Sequence, residues 1–134
     1  MQEIILDTNI LVLHWRQSRG RSLANKTVAD AEKWAIKLIK IHQTNAILTP
    51  IYLEFIGGVV DRHEMELSKA FLGQFQIIDK GKITPKDWDL ARQLAERIPR
   101  GPKPTPRGAV DCLIKAIARR LRSELMTFDK GMPR

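Results

Sequence analysis

At 134 residues the chain has the length of one ordinary domain, and its 43% hydrophobic and 28% charged residues exclude a disordered polymer. Lys and Arg number 23 against 15 Asp and Glu, a net charge of +8 that points to a polyanionic partner. The longest charge-free run, Ile41 to Leu53, contains Pro50 and is shorter than the ~20 residues a membrane helix needs.

Met1-Gln2-Glu3 carries no secretion signal. The lone Cys112 can form no internal disulfide, so a single domain spanning 1–134 in a reducing cytoplasm is expected. In chain order, Glu3 to Leu6 is a short apolar run ending at Asp7 and is predicted to be a buried strand. A helix is predicted from about Thr27 to Ile41, with Val28, Ala31, Trp34, Ala35, Leu38 and Ile41 at helical spacing. Ala46-Ile47-Leu48 is a second strand, followed by a helix with Thr49 as N-cap and Pro50 at its first position. A further helix runs from about Arg62 to Gly73, and Phe75 to Ile78 is a third strand. Thr84-Pro85-Lys86-Asp87 is a capping signature whose helix continues an apolar stripe through Trp88, Ala91, Leu94, Ala95 and Ile98. Residues 99–108 hold four of the seven prolines and form a basic loop. The last helix, about Ala109 to Arg122, carries Val110, Leu113, Ile114, Ile117 and Leu121, and Glu124 to Thr127 is a fourth strand. Strands alternating with helices argue for an α/β fold, a parallel sheet of four or five strands between helices in a three-layer α/β/α sandwich.

In such sheets the working site lies beyond the carboxyl ends of the strands. Asp7 and Asp129 follow strands one and four, Glu54 sits one turn into the helix after strand two, and Asp111 sits in the first turn of the last helix. All four therefore fall on one edge of the sheet. Each has a plainer reading alone: Asp7 as a helix cap, Asp111 as a dipole partner, Asp129 as a turn residue. Glu54, among Ile51, Leu53, Phe55 and Ile56, reads as a carboxylate on an apolar face, which is costly. Converging carboxylates repel one another, and a hard divalent cation such as Mg²⁺ or Mn²⁺ relieves that. A metal bound by acids inside a basic protein suits phosphodiester hydrolysis.

Ile4-Ile5-Leu6-Asp7-Thr8-Asn9 resembles the opening of PIN-domain nucleases, and Leu48-Thr49-Pro50-Ile51-Tyr52-Leu53-Glu54 their second block. Asp111-Cys112-Leu113-Ile114-Lys115-Ala116 and Thr127-Phe128-Asp129 are similar to their third and fourth. The blocks occur in order over nearly the whole chain, and the size is similar to the VapC-type toxins of toxin–antitoxin pairs. The resemblance implies a Mg²⁺- or Mn²⁺-dependent endoribonuclease with Asp7, Glu54, Asp111 and Asp129 as catalytic metal ligands, and Thr8, Asn9 and Thr127 orienting them. It also implies in-line attack by water, leaving 5′-phosphate and 3′-hydroxyl ends, an RNA substrate, a cognate antitoxin and a homodimer. The helix and strand that usually follow the fourth acid in that family are not evident before Arg134. A basic insertion around Arg16–Lys26 (Arg16, Arg19, Arg21, Lys26) and the 99–107 loop (Arg100, Lys103, Arg107) are candidate RNA clamps.

Trp34, Trp88 and Cys112 read as core, with Trp15 packing rather than stacking a base. His14, His42 and His63 show no zinc spacing. A phosphotransfer domain with Asp7 as nucleophile would want a second acid where Asn9 stands. A non-catalytic RNA-binding or regulatory module is the remaining alternative.

Overall fold

A computed structural model describes residues 3–98, 100–102 and 108–127. Four strands, β1 (Ile4–Leu6), β2 (Ala46–Ile47), β3 (Gln76–Ile77) and β4 (Glu124–Met126), form one sheet in the order β3-β2-β1-β4. Every pairing is parallel, with Ile5 opposite Ala46, Ile47 opposite Ile77 and Leu6 opposite Met126. Six helices connect them: α1 (Thr8–Arg19), α2 (Val28–His42), α3 (Thr49–Gly57), α4 (Arg62–Leu72), α5 (Pro85–Glu96) and α6 (Ala109–Arg120). The steps β1 to β2 and β2 to β3 move the same way across the sheet, so right-handed crossovers put α1–α4 on one face. The chain then returns past β1 to β4, and α5 and α6 cover the other face. In keeping with this, α2 packs on α4 and α5 on α6, giving a three-layer α/β/α fold with four strands among the described residues.

Local chemistry explains most of the boundaries. Thr27 and Asp30 form a capping box at the start of α2, and Thr84 and Asp87 form one at the start of α5. Asp61 caps α4, its carboxylate accepting from the Glu64 N–H. The start of α3 differs from expectation. Its N-cap is Leu48, which supplies no side-chain bond, and Thr49 already lies inside the helix. The orphan N–H of Thr49 and its hydroxyl both donate to the carboxylate of Asp79, at 3.1 and 2.8 Å. Asp79 lies two residues past the end of β3 and is buried.

The core joins Ile5 and Leu6 of β1 to Ile47, Ile51, Ile114 and Ile117. Beneath α1 and α2 an aromatic group forms around Trp15, 5.2 Å from Phe71 and 5.5 Å from Trp34 between ring centroids. Trp15 therefore packs, as does the buried thiol of Cys112. Five of the large stripe residues do not: Val28 is 44% exposed, Ile41 58%, Trp88 55%, Ile98 84% and Val110 38%. Trp88 lies off the buried side of α5, where Ala91 and Leu94 sit, and Ile98 lies past the end of that helix. The segment read as a basic insertion is also partly helical, since Arg16 and Arg19 stand in the last turn of α1. No helix among the described residues is long and apolar enough to cross a membrane.

Candidate active site

Strand β1 has β2 on one side and β4 on the other, so the strand order reverses there. Such a switch point opens a crevice at the carboxyl ends of the strands. Asp7 lies there, immediately after β1. Its backbone N–H donates to the Met126 carbonyl of β4 at 2.9 Å, and its carboxylate caps α1 by accepting from the Thr8 N–H at 2.7 Å. Thr127 leaves β4 at the same end.

Three side chains from other elements close on this point. The Thr8 hydroxyl donates to Glu54 Oε1 at 2.6 Å, linking the first turn of α1 to α3. Asn9 Nδ2 donates to Thr127 Oγ1 at 2.8 Å, tying α1 to the end of β4. Asp111 lies in the first turn of α6 and is bonded by Lys115 one turn on, Nζ to Oδ2 at 3.0 Å. Helix α6 runs towards β4, so its N-terminus, and Asp111 with it, faces the carboxyl edge.

Electrostatics at Asp7 report the convergence. Burial raises its carboxyl above the usual range, opposed by the Thr8 N–H and Thr127 hydroxyl; the charge of Asp111 adds to the rise, and Lys115 offsets some of it. Asp7 and Asp111 thus sense each other across the crevice. The donors at this edge are carboxylate, hydroxyl and amide oxygens, the kind that suits a hard divalent cation. Their spacing is a separate matter, because among the described residues no three acidic, histidine or cysteine side chains stand close enough to hold a metal. Glu54 is held by Thr8 and Asp111 by Lys115.

Asp129 lies outside the described residues, as do Lys103 and Arg107. Glu54 is exposed rather than set on an apolar face, because Leu53 beside it also points to solvent, 59% exposed, while Ile51 and Phe55 carry the buried side of α3. Of the basic candidates, Arg16, Arg21 and Arg100 are exposed and Lys26 is half-buried. Arg19 is held by Glu64 of α4 at 2.8 Å, an acid distant in sequence that the local count of charges leaves out. Two residues escaped the sequence reading. Asp79 shows the same strand-then-acid pattern as Asp7, and Lys115 stands one helical turn after Asp111, the spacing at which such pairs form.

The family model for the PIN domain matches residues 4–134. No curated protein and no solved structure matches the chain.

Proposed function

The chain belongs to the PIN domain family, whose members are typically nucleases, and we propose that it is a divalent-metal-dependent endoribonuclease, the toxin of a toxin–antitoxin pair. The observation that carries this reading is the buried Asp7 carboxylate at the switch point, within electrostatic reach of Asp111 and linked through Thr8 to Glu54. An arrangement serving only the fold would gain little from setting carboxylates against one another there.

Asp7, Glu54 and Asp111 would hold Mg²⁺ or Mn²⁺, with Asp129 as a fourth ligand. The cation supplies neutralisation of the attacked phosphate and a more acidic water. The chain's own residues do the rest. Thr8 holds Glu54 by a hydrogen bond, and Asn9 and Thr127 tie the start of α1 to the end of β4. Arg16, Arg21 and Arg100, with Lys26, Lys103 and Arg107, would draw in the flanking phosphates. An antitoxin covering the acids, and a second copy of the chain, are the protein partners proposed.

The test is incubation of purified protein with total RNA and Mn²⁺, beside an EDTA control and Asp7→Asn. Discrete fragments from the wild type with metal alone are expected. Cutting that persists in Asp7→Asn would remove the assignment. RNA bound and left intact would favour a non-catalytic binding module, to which the Lys115 bond on Asp111 lends some support.

A further inference from the structure

Helix α6 divides its cations between two tasks. Arg120 is committed to the fold: its Nε donates to both oxygens of the buried Asp87, at 2.8 and 3.0 Å, and its guanidinium also meets the Lys82 carbonyl. Arg119 and Arg122 make no ion pair among the described residues. They line a groove of about 450 Å³ between α6 and β4, with Lys115 at its upper end and Leu94, Ala118 and Leu125 as its apolar floor. No carboxylate lines the groove among the described residues. Glu124, the nearest acid in sequence, alternates to the other side of β4 from Leu125 and borders a separate recess.

Position along the helix sets the geometry. Lys115 and Arg119 are four residues apart, a rise of ~6 Å on the same side of α6. Arg122 follows just past the helix end, where its backbone turns to a φ of 54°. That turn is held by Arg122 N–H to the Arg119 carbonyl at 3.1 Å and Ser123 N–H to the Ala118 carbonyl at 2.9 Å. The result is a row of three cations over an apolar floor, beginning at the side chain that bonds Asp111.

We propose that this groove is the track for the sugar–phosphate backbone of single-stranded RNA leaving the acidic crevice, with Arg119 and Arg122 each contacting a phosphate; the inference rests on the nuclease reading above. Charge complementarity selects a polyanion, and continuity with Asp111 through Lys115 selects the polymer that reaches the acids over an acidic segment of another protein. The apolar floor gives ribose and base faces a surface that a purely electrostatic patch lacks.

Binding of a fluorescent single-stranded oligoribonucleotide is measured by anisotropy in EDTA across 50–200 mM salt. The pairs Arg119→Gln/Arg122→Gln and Arg119→Lys/Arg122→Lys are compared with wild type, and melting temperatures serve as a control on the fold. Losing two phosphate contacts should flatten the slope of log K against log salt by about 1.4 and weaken binding about 25-fold at 0.1 M salt, whereas the Lys pair keeps most of both. An unchanged slope in the Gln pair overturns the proposal, as does a wild type that binds no RNA. Loss of binding to poly-glutamate with RNA binding intact would assign the groove to a protein partner instead. A chain that cuts RNA with Mn²⁺ while the Gln pair binds normally loses the groove and keeps the nuclease. The expected slope change without any cutting does the reverse.

Discussion

A single buried carboxylate, Asp79, decides where α3 begins. Leu48 offers no side-chain cap, so the first N–H of the helix, that of Thr49, depends on Asp79 reaching across from the end of β3. Asp79 is 4% exposed and also receives the Thr49 hydroxyl, so truncating it strands two half-buried donors. Asp79→Ala should therefore cost about 2 kcal/mol of stability, read as a lower urea midpoint with unchanged slope. Asp79→Asn keeps one acceptor oxygen and should recover roughly half of that. A midpoint unchanged in the Ala variant would mean that water caps α3 instead. The same residue shows how the sequence can mislead at this scale. Thr49-Pro50 has every local mark of a cap and first turn, yet the cap comes from a residue 30 positions away. Glu54 misleads in the opposite sense, since its neighbours in sequence are apolar while its side of the helix is exposed.

Between elements, the α5–α6 contact is pinned by Asp87 and Arg120. Burial by itself would raise the Asp87 carboxyl, but the Arg120 guanidinium and the Thr84 N–H outweigh it and hold the group below its ordinary 3.8. A carboxyl depressed in the folded state stabilises the protein above its unfolded value and loses that contribution as pH falls through the folded one. Asp87→Asn should accordingly be about 3 kcal/mol less stable than wild type at pH 7, with the gap narrowing below pH ~4 as the wild-type carboxylate takes up its proton. Chemical unfolding at pH 7 and pH 3 measures this, and a gap of constant size would mean that shape rather than charge holds the pair. Capping boxes made α2 and α5 legible, because their signals are local and act on the backbone. Helix α1 was not legible: Asp7-Thr8-Asn9 is ambiguous between cap and turn, and the helix ends in Arg16 and Arg19, which read as loop. Which side of α5 is buried depends on α6, so Trp88 could not be assigned from spacing alone. Strand order and helix direction led us to expect Asp7, Glu54 and Asp111 at one edge of the sheet. The Lys115 and Thr8 bonds that hold two of them depend on side-chain geometry that spacing does not specify.

Across the whole molecule, a chain of net charge +8 sets Asp7 within electrostatic reach of Asp111 at one sheet edge and already pairs Asp111 with one of its own cations. Lys115 neutralises Asp111 and lowers the cost of ionising the buried Asp7. A divalent cation binding at that edge must therefore compete with Lys115 for Asp111. Ligand that binds only the folded state stabilises it by about 2.7 kcal/mol at a hundredfold excess over Kd. For a domain of this size that is a rise of roughly 10 °C in melting temperature. Wild type should gain such a shift on titration with Mn²⁺, and Asp111→Asn should gain little of it. Lys115→Met separates competition from mere proximity. With the ammonium gone, the same shift should appear at lower Mn²⁺, while the metal-free protein melts slightly earlier because Asp7 and Asp111 then face each other uncompensated. Should Lys115→Met instead need more Mn²⁺ than wild type, the lysine would be helping to assemble the acids rather than standing in for the metal.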